Sequence, residues 1–136
     1  MVVDDIDLFC LLSIGGAESG DYRSNVGLLN GSDAQTRISL RLQPYQPTGE
    51  PFPNATGGEL AATVTLPPLA HVQYNDALFT LFGLEGDFAN ITIKVTIIAW
   101  ETASVAPIVG MTSYGSLVDN SSNDPTTLLP TFAYPY

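Results

Sequence analysis

Residues 90–100 read NITIKVTIIAW, and this stretch decides the fold. Within it, apolar residues alternate with polar ones, Ile91, Ile93, Val95 and Ile97 against Thr92, Lys94 and Thr96. A period of two turns one face of a strand toward a core and the other toward solvent, as in antiparallel sheets with one solvated face. The stretch therefore predicts a half-buried antiparallel strand.

Two further stretches show the same alternation. RISLRL at residues 37–42 precedes Pro44, and LAATVTL at residues 60–66 precedes Pro67. Because proline cannot donate to a sheet ladder, each proline is expected to end its strand. Less regular apolar runs predict more strands, at residues 7–14, 22–29, 70–74 and 107–118. The chain is thus predicted to contain about seven strands.

Residues 76–82 depart from this pattern and are predicted to form a short helix. Asn75 is a favourable N-cap, apolar residues follow it, and Gly83 is placed to end the helix. Regularly spaced strands with one short helix indicate two antiparallel sheets packed face to face. The chain is therefore predicted to be an all-β sandwich of the immunoglobulin-like or jelly-roll kind, with a closed barrel as the alternative.

Length fits one domain spanning residues 1–136. A chain of 136 residues removes roughly two-thirds of its unfolded surface from water, enough to form a core without disulfides or metals. Residues 1–6 and 131–136 are expected to be terminal extensions, because chain ends are usually exposed. The proline-rich residues 44–58 are expected to form a surface loop, since strands of one pattern flank them.

The charge balance argues against several classes of partner. Fourteen carboxylates stand against four Lys and Arg residues, for a formal net charge of -10. Nucleic acids and anionic membrane surfaces attract clustered basic residues, whereas here they are dispersed at Arg23, Arg37, Arg41 and Lys94. The apolar runs are far shorter than the roughly 20 residues that span a bilayer. The sequence predicts no nucleic-acid partner and no membrane insertion.

The single cysteine and the processing signals bear on where the protein resides. Cys10 alone permits no internal disulfide, and its apolar neighbours indicate a small buried side chain, with an intermolecular disulfide as the alternative. Residues 1–12 lack the basic start and cleavage site of a secretory signal, so the chain is expected to be cytosolic or already trimmed. N-x-S/T triplets leave glycosylation open at Asn30, Asn54, Asn90 and Asn120.

Three patches of the sequence resemble a known family. They are GDYRSNVGLLN at residues 20–30, VTLPP at 64–68 with VQYN and LFGL after it, and YGSLVDN at 114–120 with NDP after it. In this order they are similar to the immunoglobulin-like β-sandwich module of secreted and cell-surface bacterial proteins, over residues 8–130. The resemblance implies an extracellular, non-catalytic role without active-site residues. Tyr22 stands where many members have tryptophan, and the loop at residues 44–58 is longer than in the family.

One candidate metal site is present, formed by Asp119, Ser121, Asn123 and Asp124. Closely spaced oxygen-bearing side chains are the ligands that calcium takes in proteins. The segment has no glycine at the sixth loop position and no glutamate at the twelfth, where Pro130 stands. The preferred interpretation is an Asx-type turn capped by Asp119, and no cofactor is expected.

Residues able to carry out catalysis are few. His71 is the single histidine, so neither a zinc site nor a Ser-His-Asp triad is indicated, and His71 is interpreted as a partly buried structural residue. A glycosidase needs two carboxylates at a set separation, for which Glu59, Glu85 and Glu101 are the candidates. Because these residues fall near strand ends and turns, the sequence predicts no enzyme.

The predicted function is a non-catalytic structural or interaction module of a secreted or surface protein, with a protein partner or self-association. A carbohydrate-binding module is one alternative, with Trp100 expected in the core; its candidate aromatic residues are Tyr22, Tyr45, Tyr74, Tyr114, Trp100, Tyr134 and Tyr136. The other alternative is a subunit of an extracellular filament. Residues 7–14 and 128–136 are apolar and little protected by charge, so a strand from one copy can complete the sheet of the next.

Overall fold

The computed structural model describes residues 7–12, 22–85, 91–119, 121–122, 125–128 and 131–133; for residues 7–12, 22, 125–128 and 131–133 it describes the backbone alone. These residues form strands and one short helix, in the order β1 Asp7–Leu12, β2 Tyr22–Asn30, β3 Thr36–Tyr45, β4 Ala62–Leu66, β5 His71–Tyr74, α1 Ala77–Phe82, β6 Ile91–Thr102, β7 Met111–Asp119, β8 Pro125–Leu128 and β9 Thr131–Ala133. The prediction of an all-β chain with one short helix is confirmed.

The strands form two antiparallel sheets. One sheet has five strands in the order β4-β3-β6-β1-β9, and the other has four in the order β5-β2-β7-β8. Every pairing between neighbouring strands is antiparallel. The predicted two-sheet sandwich is confirmed.

The core lies between the two sheets. Alternate residues of β3 and β6 form its five-stranded side, and alternate residues of β2 contribute to the other, as a period of two requires. Among the side chains that the structure describes, the large apolar ones that are at most 1% exposed are Val26, Leu28, Ile38, Leu40, Leu42, Leu78, Ile91, Ile93, Val95 and Ile97. Full burial of such a side chain stabilises the fold by about 1.5–3 kcal/mol. Apolar packing therefore holds the sheets together.

β6 contains a bulge that changes which residues face the core. Up to Ile97 its odd-numbered residues are buried, and Ile97 pairs with Leu40 of β3. The register then shifts by one residue, so that Trp100 pairs with the buried Ile38. Because one extra residue is inserted, Trp100 packs against the core while Glu101 is exposed.

β3 continues to Tyr45, so the prediction that Pro44 ends the strand is wrong. β4 pairs with β3 only between Ile38 and Leu42, and at Pro44 the ladder to β4 has already ended. A proline is tolerated where no partner strand needs its N–H. On the other side Pro44 still pairs with Ile93 of β6.

The proline-rich loop after β3 carries its own antiparallel pairing. Tyr45 bridges to Pro51, and Pro53 bridges to Glu59. The N–H of Phe52 donates to the Pro44 carbonyl at 3.2 Å. The connection between β3 and β4 is therefore a folded extension of the sheet edge.

α1 has a different N-cap from the one expected. The N-cap is Asp76, which has a φ of 49° and makes no side-chain capping hydrogen bond. Asn75 lies outside the helix, where its Oδ1 accepts a hydrogen bond from Gln73 Nε2 at 3.0 Å. Gly83 ends the helix as predicted, with a φ of 68° that glycine adopts without strain. In the described part of the chain, no helix combines the length and apolarity needed to cross a membrane.

β8 and β9 are absent from the sequence prediction. β9 pairs with β1, so residues 131–133, expected in a terminal extension, lie in the five-stranded sheet. β8 pairs with β7 from Gly115–Leu128 to Val118–Pro125. Predictions for residues 1–6, 13–14 and 134–136 fall outside the described residues.

Candidate functional site

Three loops meet at one end of the sandwich, referred to below as the loop end. They are residues 31–35 between β2 and β3, residues 67–70 between β4 and β5, and residues 103–110 between β6 and β7. The registers place Asn30 beside Met111 and Thr36 beside Thr102, so the loops leave the sheets on the same side. Loops carried on a rigid sheet are where binding residues are disproportionately found.

Asn30 joins two of these loops from inside the protein. Its side chain is fully buried, and Nδ2 donates to the carbonyls of Thr36 and Pro67 at 2.8 and 3.0 Å. Its Oδ1 accepts the N–H of Ser32 at 3.0 Å, and its own N–H donates to the Ala70 carbonyl at 2.9 Å. One buried amide therefore fixes residues 31–35 and 67–70 relative to each other.

Ser32 and Asp33 hold the third loop. The Ser32 hydroxyl donates to the Gly110 carbonyl at 2.9 Å and accepts the Gly110 N–H at 2.9 Å. The N–H of Asp33 donates to the Ile108 carbonyl at 3.0 Å, and Asp33 Oδ2 accepts the Ile108 N–H at 3.4 Å. The loop end is thus cross-linked by hydrogen bonds.

The carboxylate of Asp33 organises its own loop as well. Its Oδ1 accepts the Thr36 hydroxyl at 2.7 Å and the Gln35 N–H at 3.0 Å. These hydrogen bonds, that of Thr36 first, hold the pKa of Asp33 below its ordinary value because they stabilise the ionised form. The ionised form of Asp33 is therefore the one that these hydrogen bonds favour.

The loop end presents three large apolar side chains to solvent. Leu69 is 57% exposed, Ile108 is 73% exposed and Val105 is 103% exposed. Leu69 also has a φ of 57°, in a turn closed by the Ala70 N–H and the Pro67 carbonyl. Glycine or asparagine usually occupies that position, and a left-handed leucine costs about 1–2 kcal/mol. The stability of the turn therefore does not explain why a leucine occupies position 69.

A polar cleft of about 360 Å³ lies beside these loops, lined by Gln35, Arg37, Pro68, Glu101, Thr102 and Ala103. Arg37 and Glu101 are direct cross-strand neighbours on β3 and β6, and both are exposed. A second depression of about 260 Å³ shares these two residues. Because Arg37 and Glu101 carry opposite charges at the opening of this cleft, the cleft favours polar contacts with a binding partner, next to the apolar side chains of the loop end.

A second candidate surface lies on the outer face of the four-stranded sheet. His71 of β5 and Tyr114 of β7 approach each other across β2, with Nε2 and the phenolic oxygen 2.9 Å apart. Tyr114 donates to Gln73 Oε1 at 2.8 Å, so His71 Nε2 carries the proton in this arrangement. Gln73 Nε2 then donates to Asn75 Oδ1. The four residues are referred to below as the ring platform.

His71 is exposed, so its prediction as a partly buried structural residue is wrong. Burial alternates along β5, with Val72 and Tyr74 half-buried and His71 and Gln73 exposed. Burial raises the pKa of the Tyr74 phenol. The alternation around Val72 is visible in the sequence and is the signal that would have placed His71 on the outer face.

The candidate calcium residues lie at the end opposite the loop end. Asp119 Oδ1 accepts the Ser121 hydroxyl at 2.7 Å and the Ser121 N–H at 2.8 Å. These two hydrogen bonds, the hydroxyl's first, lower the pKa of Asp119. They match the expected Asx-type turn. Asn123 and Asp124 lie outside the described residues, and calcium binding stays a prediction.

The structure separates two of the carboxylates considered for glycosidase chemistry. Glu59 Oε2 accepts a hydrogen bond from Gln43 Nε2 at 2.7 Å, whereas Glu101 lies opposite Arg37. At the rise per residue of a β-strand, Gln43 and Arg37, the neighbours of these two glutamates, are about 20 Å apart along β3. Glycosidase pairs are less than about 10 Å apart. Glu85 follows α1 and is exposed.

The aromatic residues considered for glycan stacking do not share one face. Tyr74 and Trp100 pack against the core. Tyr45 lies at the end opposite the loop end, where its hydroxyl donates to Gln43 Oε1 at 3.1 Å. Tyr114 lies on the outer sheet face beside His71, whose contribution to an aromatic surface the sequence analysis missed. The side chain of Tyr22, and Tyr134 and Tyr136, lie outside the described residues.

Burial excludes glycosylation at one of the four N-x-S/T triplets. Asn30 is 0% exposed and its amide is engaged in hydrogen bonds, so it cannot carry a glycan in this fold. Asn54 lies in a turn, where its Oδ1 accepts the N–H groups of Thr56 and Gly58 at 2.9 and 3.0 Å. Asn90, Asn120 and the side chain of Cys10 lie outside the described residues.

Comparison with known proteins supports the fold. No protein-family model and no curated protein matches the sequence. The crystal structure of Thermotoga maritima 1070 is similar, with a TM-score of 0.55 and 14% sequence identity over 96% of this chain and 93% of that chain. At this identity the similarity concerns the fold alone.

Proposed function

We propose that this chain is a non-catalytic interaction module of a secreted or cell-surface protein, and that it binds a protein partner through the loop end. The observation that carries the proposal is the set of exposed apolar side chains Leu69, Val105 and Ile108 on hydrogen-bonded loops. Exposed apolar groups of this kind mark interaction sites. Loops that are already fixed lose little conformational entropy when a partner binds.

The strained leucine adds support. Leu69 occupies a turn position at which asparagine or glycine would stabilise the fold, yet its apolar side chain projects into solvent. Backbone strain of this kind clusters at binding and switch sites. A role in binding explains both its conformation and its exposure.

A module without catalysis accords with the dispersal of reactive groups. Glu59 and Glu101 lie far apart, and His71 hydrogen-bonds to Tyr114 and through it to Gln73. The extracellular placement rests on the family resemblance and on a composition with only 13% charged residues.

Photo-cross-linking tests the proposal. The intact chain would carry p-benzoylphenylalanine in place of Val105, or, as a matched control, in place of the exposed Thr63 on β4. Each form is incubated with the surface and secreted fractions of the organism that produces the protein. We expect a discrete cross-linked partner from position 105 and none from position 63, because position 63 lies outside the loop end.

Competition makes the test specific. Excess unlabelled chain should abolish the cross-link, whereas the variant Leu69→Ser, Val105→Ser, Ile108→Ser should not compete. The three side chains are exposed, so each substitution should change stability by no more than about 0.5 kcal/mol. Identical bands from positions 105 and 63, or full competition by the folded triple variant, would refute the proposal.

A filament subunit is the second candidate, and the position of β1 favours it. β1 lies inside the five-stranded sheet, paired with β6 from Asp7–Thr96 to Leu12–Ile91 and with β9 from Asp7–Ala133 to Phe9–Thr131. Residues 13–21 join it to β2. An interior strand joined in this way can be supplied by a neighbouring copy, with the same main-chain hydrogen bonds.

The length of that connection provides the test. Deleting residues 15–19 would leave four residues between β1 and β2. Four residues span about 14 Å at most, little more than the separation of about 10 Å between packed sheets, so β1 would pair less easily with its own chain. If copies exchange β1, the intact chain should associate with rising concentration in light scattering, and the shortened chain should associate more strongly. An intact chain that remains monomeric at every concentration excludes the filament.

A further inference from the structure

The ring of Tyr114 lies over the outer face of the sheet because the residue opposite it has no side chain. Its cross-strand partner on β2 is Gly27, and a Cβ atom on Gly27 would come within 2.0 Å of Tyr114 Cζ and 2.2 Å of Cε1. The hydroxyl end of the ring therefore lies directly over the Gly27 backbone. Glycine with a cross-strand aromatic residue is a known way to cover a sheet face.

His71 extends this aromatic surface. The two ring centroids are 5.8 Å apart, and the ring planes are inclined by 31°. Since His71 Nε2 and the Tyr114 oxygen lie in their ring planes, their 2.9 Å hydrogen bond joins the rings edge to edge. The rings reach from β5 to β7 across β2, which is about 10 Å at the spacing of strands in a sheet.

Polar groups on one side of the rings complete the surface. Gln73 and Asn75 are exposed, and their amides carry both donors and acceptors. His71, Tyr114, Gln73 and Asn75 include no carboxylate and no Lys or Arg. The ring platform thus combines an aromatic surface with neutral hydrogen-bonding groups.

From this geometry we infer that the ring platform binds a neutral oligosaccharide. The faces of aromatic rings carry partial negative charge, which attracts the C–H groups of a pyranose ring. Amides such as those of Gln73 and Asn75 donate to and accept from sugar hydroxyls. The net charge of -10 disfavours an anionic ligand such as a nucleic acid or a sulfated glycan. A platform of this length accommodates about two pyranose rings.

Titration of the intact chain with cellotetraose, xylotetraose and chitotetraose tests the inference. We expect at least one of them to bind with a Kd below about 10 mM in calorimetry. In ¹H–¹⁵N spectra the shifts should centre on Gly27, His71 and Tyr114. The ring platform contains none of Leu69, Val105 and Ile108, on which the proposed function rests, so the two tests depend on different side chains and the two proposals can fail independently.

Variants test whether the ring platform is the site that binds the oligosaccharide. His71→Ala should weaken binding about tenfold or more, because it removes one ring, and Tyr114→Phe should weaken it less, because the ring remains. Tyr45→Ala, which removes a tyrosine from the other sheet, should leave the Kd unchanged. Melting temperatures confirm that each variant is folded.

Three outcomes would overturn the inference. One is that no tetrasaccharide binds at about 10 mM. Another is that His71→Ala and Tyr45→Ala weaken binding equally. The third is that a heparin tetrasaccharide or oligothymidylate binds more tightly than every neutral sugar.

Discussion

Asn30 Nδ2 lies 2.8 Å from the carbonyl oxygen of Thr36, and this buried hydrogen bond joins the end of β2 to the start of β3. Replacing Asn30 by aspartate would remove the donor and place a carboxylate at a fully buried position. Asn30→Asp should therefore destabilise the fold by about 3 kcal/mol at neutral pH. Urea unfolding measures the change. Asn75→Asp, at an exposed position, should shift stability by about 0.5 kcal/mol or less; equal losses in both variants would contradict the role of Asn30.

Gly27→Ala should destabilise the fold because its Cβ would overlap the ring of Tyr114. Lifting the ring from the sheet should cost about 1–3 kcal/mol. In the double variant Gly27→Ala, Tyr114→Ala the clash is absent, so the combined loss should be smaller than the sum of the single losses. A double-mutant cycle from denaturant unfolding measures this difference, and strict additivity would mean that the two residues do not interact.

Ser24→Ala should stabilise the protein. Ser24 is 2% exposed, and its hydroxyl has no hydrogen-bond partner among the residues that the structure describes. Removing a buried unpaired hydroxyl should raise the free energy of unfolding by about 1 kcal/mol. Ser113→Ala on the neighbouring strand is the matched control, because that serine is equally buried but has a partner. It should lower stability, and thermal melting that ranks the two variants in the opposite order would disprove the prediction.

Asp33 should make stability depend on pH. Folding lowers the pKa of Asp33, chiefly through the Thr36 hydroxyl. Its contribution is therefore present at neutral pH and is lost as the pH falls through the folded-state pKa, below about pH 4. Asp33→Asn lacks the charge, so it should melt at a lower temperature than the wild type at neutral pH. The gap should narrow toward about pH 3; a constant gap across this range would show that the charge is not responsible.

Leu69→Asn should stabilise the fold while weakening the proposed partner interaction. Asparagine tolerates the left-handed conformation that Leu69 adopts, so the substitution should add up to about 1 kcal/mol. The same variant should compete poorly in the cross-linking experiment, because an exposed apolar side chain is lost. Lower stability in thermal melting would show that the leucine side chain contributes to the fold itself.

The alternation of residues predicted the central strands well. β3 and β6 each have one face in the core, and their period of two is visible without any other information. β9 was missed because three residues, Thr131–Ala133, are too few to show a pattern, and their pairing with β1 is a long-range contact. Pro44 was misjudged because its tolerance depends on where β4 stops, which the local sequence does not state.

The candidate surfaces were harder to predict than the fold. The loop end depends on Asn30, whose buried contacts reach Pro67 and Ala70, far along the chain. Asn30 also begins an N-x-S/T triplet, a motif typical of surface loops, although its side chain is buried. The ring platform combines His71 with Tyr114 only because the sheet order places β2 between β5 and β7, and sheet order was beyond the local pattern.

The bulge in β6 has a consequence for how this chain can change length. It sets the phase of the strand, so the half that begins at Ala99 is offset by one residue from the half that ends at Ile97. Removing Ile98 would leave Ile97 opposite Leu40 and Trp100 opposite Ile38, so the core-facing residues of both halves would stay in place in one continuous alternation. Removing a residue between Ile91 and Ile97 would instead turn the core-facing residues on one side of the deletion outward. Loss of a single residue should therefore be tolerated at the bulge and at the loop end, and rejected in the regular half of β6.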